Sequence, residues 1–147
     1  MYNVLILWAP DSAETRKVVE VVRAAFNEGK YKTTIKKADE SSIVDIAAAD
    51  VVIFGLQKSA AADLPPEYSD LLRVFKGVTL AGRAAGVFSV GSEKASAKMR
   101  KSLKDTEVAI FEEDPLFSNE KPEKVSEVTE WARKLAGFFQ EVRGARE

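Results

Sequence analysis

Five short apolar runs alternate along the chain with longer stretches in which apolar residues recur every three or four positions. The short runs are typical of β-strands, and the longer stretches are typical of helices with one apolar face. The predicted strands are Asn3–Trp8, Tyr31–Lys36, Val51–Gly55, Ala84–Phe88 and Val108–Phe111. Tyr31–Lys36 alternates with Lys and Thr, so we predict that it lies at an edge while helices cover both faces of the other strands.

The intervening stretches predict five helices. Their expected positions are about Ser12–Asn27, a short helix capped by Ser41 or Ser42, one beginning near Pro65–Pro66, Ser92–Leu103 and about Pro122–Val142. The fourth presents a narrow apolar stripe of Ala95, Met99 and Leu103. The stripe of the last helix is wider and consists of Val125, Val128, Ala132, Leu135, Phe139 and Val142, with Trp131 and Phe138 beside it. This apolar area is enough to cover one face of a sheet.

This alternation predicts a three-layer α/β/α fold with a doubly wound, five-stranded parallel sheet, because crossovers between parallel strands are right-handed. We expect the strand order 2-1-3-4-5 and a single domain over residues 1–147, since no stretch resembles a linker. Ligands of such sheets bind beyond the carboxyl ends of the strands, at the switch point between strands 1 and 3. The loops that meet there are Ala9–Thr15, Leu56–Asp63 and Ser89–Glu93.

The amino-acid composition excludes several kinds of functional site. The chain contains neither cysteine nor histidine, which excludes disulfides, thiolate metal sites, a cysteine nucleophile and the commonest metal ligand. The formal net charge of −1 shows no bias toward nucleic acid or an anionic membrane, so neither is an expected partner. The first apolar run lacks the basic leader of a signal peptide and is too short to span a bilayer, and we expect a cytoplasmic protein.

The loop after the first predicted strand reads PDSAET from residue 10 to residue 15. It resembles the phosphate loop of flavodoxins, which has the form T/S-x-T-G-x-T and holds the FMN phosphate at the start of the first helix. Ser12 and Thr15 stand where the later threonines of that loop fall, and Ala13 replaces its glycine. Asp11 and Glu14 depart from the pattern because they add negative charge near the phosphate position, unless the Glu14 side chain points to solvent.

The resemblance to flavodoxins extends over essentially the whole chain. Asp50–Gly55, Gly82–Phe88 and Pro122–Phe139 match strand 3, strand 4 and the last helix of the family in order and spacing. The resemblance implies an electron carrier that binds FMN non-covalently and acts on a redox partner protein, with the chemistry supplied by the flavin rather than by a catalytic side chain. The implied cofactor-binding residues are Ser12, Ala13, Glu14 and Thr15 for the phosphate, and backbone groups near Gln57, Lys58, Ser59, Val90 and Gly91 for the ring.

The two loops that would hold the flavin ring differ from the family pattern. Flavodoxins commonly place a Trp from the loop after strand 3 and a Tyr from the loop after strand 4 on either side of the ring. Here these loops read QKSAAAD at residues 57–63 and SVGSE at residues 89–93. The second resembles the F-G-S-Y-G-type loop of the diflavin enzymes. Ring contacts are therefore left to Leu56, Val90, Trp8 or Tyr68.

Two interpretations of residues 11–15 stay open. The loop either holds the FMN phosphate, or Asp11 caps the first helix with Glu14 completing a pair that resembles a capping box. In the second case the protein's own carboxylate takes the anion position at the helix N-terminus. The corresponding alternative function is a flavodoxin-like domain that binds no flavin and serves as a binding or regulatory module. Trp8 likewise either contacts the flavin or closes the top of the core.

Charged residues follow the last two predicted strands. The cations are Lys94, Lys98, Arg100, Lys101 and Lys104, and the acids are Glu112, Glu113 and Asp114. Such runs commonly serve solubility, whereas an acidic rim beside the ligand loops would suit docking to a basic redox partner. The segment Pro115-Leu116-Phe117 either caps the core or contacts another subunit. A response-regulator receiver is set aside because Leu56 and Gln57 stand where its acceptor Asp would be.

Overall fold

The computed structural model contains one parallel sheet in which the strand order is β2-β1-β3-β4-β5, and a sixth short strand pairs with β4. It describes residues 2–9, 12–27, 30–57, 64–91, 93–113, 116–117 and 125–146. The strands are β1 (Tyr2–Ala9), β2 (Tyr31–Lys37), β3 (Val51–Gln57), β4 (Ala84–Val90), β5 (Ala109–Ile110) and β6 (Leu116–Phe117). The predicted strand order is confirmed, and so is the edge position of the second strand.

Helices connect the strands as the periodicity predicts. They are α1 (Ala13–Asn27), α2 (Ile43–Ala47), α3 (Ser69–Val74), α4 (Glu93–Leu103) and α5 (Val125–Arg146), with 3-10 turns at Ala38–Glu40, Pro66–Tyr68, Phe75–Gly77 and Lys104–Thr106. Of the two predicted caps of α2, the structure selects Ser42, whose backbone N–H donates to the Asp45 carboxylate at 2.9 Å. This bond and that to Lys36 hold the pKa of Asp45 below its usual value. None of the described helices is long and apolar enough to cross a membrane.

The sheet separates two apolar layers because successive side chains of a strand point to opposite faces. Helices α2, α3 and α4 cover Leu5 and Leu7 of β1, whereas α1 and α5 cover Ile6 and Trp8. The predicted stripe of α4 is completely buried. The stripe of α5 is buried from Val128 to Phe139, whereas Val125 is 51% exposed. The prediction that this helix covers one face of the sheet is confirmed.

The fifth strand is shorter than predicted and is interrupted. Only Ala109 and Ile110 pair with β4 as β5, whereas the apolar pattern extended the strand from Val108 to Phe111. The chain then returns to the sheet as β6, which pairs in parallel with Ser89 and Val90 of β4. The apolar pattern predicts no strand at Leu116–Phe117, so β6 is a correction to the predicted topology.

Side chains from two helices hold the chain between β5 and β6. The Arg100 guanidinium of α4 donates to the carbonyl oxygens of Phe111 at 3.3 Å and of Glu112 at 2.9 Å. The Trp131 indole N–H of α5 donates to the carbonyl oxygen of Glu113 at 2.8 Å. These donors satisfy backbone carbonyl groups of the segment that lies between β5 and β6.

A close contact between β3 and β4 requires glycine at position 55. Gly55 lies opposite Phe88, and a Cβ atom on Gly55 would lie 2.6 Å from the tip of the Phe88 ring. The Phe88 ring is fully buried and packs edge-on against Trp131, with 5.9 Å between the ring centroids. The ring therefore has no free space into which it can retreat.

Gly55→Ala should lower the free energy of unfolding by about 1–3 kcal/mol, because the added methyl group overpacks a rigid part of the core. Urea denaturation followed by circular dichroism measures the change. Gly137→Ala is the matched control, since a Cβ atom there meets nothing within 4 Å and alanine favours the helix by up to about 1 kcal/mol. Equal losses of stability in the two variants would contradict the close contact.

Candidate functional site

The carboxyl ends of β1, β3 and β4 meet at one edge of the sheet. Ala9 of β1 lies beside Leu56 of β3, and Gln57 of β3 lies beside Val90 of β4. The chain leaves β1 toward α1 on one face, whereas α3 and α4 lie on the other face. At such a divergence, doubly wound sheets form the crevice in which they bind their ligands.

Ser12 is the N-cap residue of α1. Its Oγ accepts a hydrogen bond from the Thr15 backbone N–H at 3.2 Å, and its carbonyl oxygen accepts one from the Arg16 N–H at 3.0 Å. The capping interpretation assigned this position to Asp11, which lies outside the described residues. Because α1 begins at Ala13, Thr15 rather than Glu14 stands three residues after Ser12. The pairing of Glu14 with Asp11 stays a prediction.

The Gln57 side chain connects the end of β3 to the start of α1. Its Oε1 accepts a hydrogen bond from the Thr15 hydroxyl at 3.0 Å and another from the Ser12 hydroxyl. The two hydroxyl oxygens are themselves 3.0 Å apart. Thr15 is 0% exposed, while Ser12 and Gln57 are half-buried. We call these three residues the Gln57 cluster.

The Gln57 side chain lies toward the phosphate-loop residues, while the assignment of backbone groups near Gln57 to a flavin ring stays a prediction. Residues 53, 55 and 57 of β3 share one face of the sheet, and Ile53 packs in the layer covered by α1 and α5. The Gln57 side chain therefore reaches α1 and contacts the residues predicted to hold the phosphate. The alternation of side chains along β3 predicts that Gln57 points to the same face as Ile53, provided that the strand is extended to residue 57.

Backbone N–H groups complete the donors at this end of α1. The N–H groups of Ala13 and Glu14 belong to the first turn of the helix, and no described residue accepts a hydrogen bond from either. The Glu14 side chain is exposed, so its carboxylate lies in solvent. N–H groups at a helix N-terminus attract anions, and together with the two hydroxyls they make a set of donors of the kind that binds phosphate.

The side chains predicted to contact a flavin ring are core residues in this structure. Leu56, Val90, Trp8 and Tyr68 are each at most 5% exposed. Trp8 packs in the layer under α1 and α5, with the Arg16 guanidinium 5.5 Å from the ring centroid. Tyr68 donates its hydroxyl to the Gly55 carbonyl oxygen at 2.9 Å. None of these four described side chains is therefore exposed enough to lie against a ring, and Val90 offers its backbone groups instead.

The loops around the crevice are described in part. Gly91 follows β4 with a φ of 78°, in the left-handed region that glycine adopts at no steric cost, and it turns the chain toward α4. Lys58 and Ser59 lie outside the described residues, as does the remainder of that loop through Asp63. Among the described residues, no group of acidic side chains could hold a metal ion.

The predicted acidic rim is partly neutralised. The Glu113 carboxylate lies 3.6 Å from the Lys134 ammonium group of α5, and both side chains are about half exposed. Arg100, predicted as part of a cationic run, instead binds backbone carbonyls beneath the rim. Docking of a basic partner at this rim stays a prediction.

This chain is similar to known proteins in structure but not detectably in sequence. No family model matches the sequence, and no curated protein is detectably similar to it. A short-chain flavodoxin associated with a non-canonical PDU bacterial microcompartment superimposes with a TM-score of 0.83 and 15% identity, over 95% of this chain and 99% of that one. Flavodoxin 1 from Bacillus cereus gives 0.82 at 17% identity, over 92% and 97% of the two chains. The chain has the flavodoxin-like fold.

A further flavodoxin-like structure has a ligand. The flavodoxin of Fusobacterium nucleatum bound to flavin mononucleotide superimposes with a TM-score of 0.78 at 11% identity, over 95% of this chain and 99% of that one. The resemblance that the sequence analysis based on the strands and the last helix is thereby confirmed for the fold. At identities this low, the superposition shows the fold alone.

Ser12→Ala should lower the free energy of unfolding by about 1 kcal/mol, because the first turn of α1 loses its cap. Thermal or urea denaturation measures the loss. Ser102→Ala is the control: the Ser102 hydroxyl donates to the Lys98 carbonyl oxygen within α4 and caps nothing, so its removal should change stability by less than about 0.5 kcal/mol. A Ser12 variant as stable as this control would contradict the assigned cap.

Tyr68→Phe should remove a pH dependence of stability at alkaline pH. Burial raises the pKa of the Tyr68 hydroxyl well above its usual value. The unfolded chain therefore ionises first, and the wild-type protein should lose about 1.4 kcal/mol of stability per pH unit above about pH 10. Urea denaturation at pH 8 to 11 should show the variant less stable by about 1 kcal/mol at pH 8 and this difference shrinking at higher pH. A constant difference would refute the raised pKa.

Proposed function

We propose that the protein binds FMN non-covalently and transfers electrons between partner proteins. The observation that carries this proposal is the donor set at the N-terminus of α1, which lies at the switch point of a flavodoxin-like sheet. The likeness to a flavodoxin bound to flavin mononucleotide supports FMN as the phosphate-bearing ligand. The assignment concerns the cofactor and its site, and the redox partner is identified only as a protein.

The phosphate would rest on α1. The N–H groups of Ala13 and Glu14 and the hydroxyls of Ser12 and Thr15 would donate to its oxygens, and the helix dipole favours a negative charge there. Burial of Thr15 strengthens such a bond because little water competes for the hydroxyl. The exposed Glu14 carboxylate costs little, because solvent screens its charge from the phosphate.

The ring would lie over the ends of β3 and β4. Backbone groups near Gln57, Lys58, Ser59, Val90 and Gly91 would bind its polar edge, and the positive φ of Gly91 lets the backbone approach closely. FMN supplies the electron-transfer chemistry when it is bound. The chain contributes the binding, the orientation of the ring and the apolar floor formed by the buried strand ends.

Two observations favour the alternative function, a binding or regulatory module without flavin. The hydroxyls that would bind phosphate already have an acceptor within the protein, and the aromatic side chains near the site are used by the core. A flavodoxin-like domain with these features could serve as a binding or regulatory module without flavin. The two functions differ in one measurable property, which is affinity for FMN.

Titration with FMN should quench the flavin fluorescence at micromolar protein concentrations and give a yellow complex. Thr15→Val preserves the shape of the side chain but removes one donor to the phosphate, and it should weaken FMN binding about tenfold. Ser102→Ala serves as the control and should bind like the wild type, because Ser102 lies in α4 and its hydroxyl bonds within that helix. A colourless protein that leaves FMN fluorescence unchanged would remove the electron carrier and favour the module without flavin.

A further inference from the structure

The Gln57 cluster places an acceptor of the protein itself where phosphate oxygens would bind. Gln57 is the last residue of β3, and its Oε1 accepts hydrogen bonds from both hydroxyls of the donor set. The Ser12 Oγ also accepts the Thr15 N–H at 3.2 Å, so that three of the donors at this helix end are satisfied internally. The cluster therefore joins residues 42 and 45 positions apart in the chain.

A hydroxyl group carries one hydrogen and can donate one full hydrogen bond. While Ser12 and Thr15 donate to Gln57, they cannot donate to phosphate. Thr15 is completely buried, so its hydroxyl has no access to water and depends on an acceptor within the protein or the ligand. A phosphate must consequently displace the Gln57 oxygen, or else bind through the N–H groups of Ala13 and Glu14 without the hydroxyls.

We propose that Gln57 substitutes internally for phosphate and sets how strongly the site distinguishes phosphorylated from unphosphorylated flavin. This inference rests on the proposed function, which it deepens by assigning the residue that determines ligand choice. Without phosphate, the carboxamide satisfies the buried hydroxyl and holds the start of α1 against β3. Riboflavin leaves these bonds intact, whereas FMN breaks them and forms stronger bonds to a charged group in return. The preference for FMN over riboflavin in the wild-type protein is therefore small.

Two substitutions of Gln57 should move this preference in opposite directions. Gln57→Ala removes the competing acceptor, and the ratio of the riboflavin dissociation constant to the FMN dissociation constant should rise about tenfold. Gln57→Glu preserves the size of the side chain and its bonds to the hydroxyls but adds a negative charge, so the ratio should fall by about the same factor. Fluorescence quenching of each flavin by each full-length variant gives the ratios. A purely structural role would change the affinities for both flavins equally.

Gln140→Ala is the matched control. Gln140 donates a hydrogen bond to the Tyr31 hydroxyl at 3.0 Å, and Tyr31 is the first residue of β2, at the opposite edge of the sheet. The same change of side chain there should leave the flavin ratio unchanged. If Gln57→Ala fails to fold, Gln57→Glu carries the test by itself, because an unchanged ratio in that variant would overturn the inference.

A second measurement does not depend on flavin. Inorganic phosphate should raise the melting temperature of Gln57→Ala more than that of the wild type or of Gln140→Ala, because only this variant has free hydroxyls at α1. An equal rise in melting temperature in all three proteins would overturn the inference that Gln57 competes with phosphate for the hydroxyls. Riboflavin should not compete with phosphate for this site, since it has no anionic group.

The outcomes separate the two proposals. If the wild type binds no flavin and Gln57→Ala gains FMN but not riboflavin, the role of Gln57 stands and the electron carrier falls. If the wild type binds FMN and Gln57→Ala leaves the ratio unchanged, the electron carrier stands and the role of Gln57 falls. If no variant binds flavin, the electron carrier falls and the phosphate-dependent melting temperatures decide for or against Gln57.

Discussion

The central strands of this protein bury side chains on both faces of one parallel sheet, and this constraint governs the rest of the structure. Strands β1, β3 and β4 lie between two helical layers, so nearly every side chain in their interior is apolar. The constraint is severe enough that Gly55 lacks room for a methyl group beside Phe88. Polar side chains in these strands are thereby confined largely to the edge of the sheet where the strands end.

At that edge, the end of β3 and the start of α1 satisfy each other's polar groups. Thr15 has no exposed surface, and a buried hydroxyl without an acceptor is costly, by roughly 1–3 kcal/mol. Gln57 supplies the acceptor and so links a strand end to a helix cap. An incoming phosphate would replace the same hydrogen bonds that stabilise the protein without a ligand. The stability of the protein and its choice of ligand therefore depend on the same atoms.

The segment between β5 and β6, which both pair with β4, shows how tertiary contacts modify a regular sheet. Arg100 and Trp131 approach from helices on different faces, and both donate to carbonyl groups of the segment between β5 and β6. The chain leaves the sheet there and rejoins it beside Ser89 and Val90, next to the loop that begins at Gly91. The interruption thus brings a separate segment of chain to the edge that contains the candidate site.

The sequence by itself determined the fold class, the strand order and four of the five predicted strands, because a strand buried on both faces and a helix buried on one have distinct apolar periods. It also identified Ser12 and Thr15 as hydroxyl donors at the start of α1. It did not determine β6, since a segment of two residues has no detectable period. Nor did it determine the bond between Gln57 and Thr15, because residues 42 positions apart meet only when β3 is set in register beside β1 and α1 is packed over both. Period and composition are local properties, whereas the partner of a buried polar group is chosen by the packed sheet.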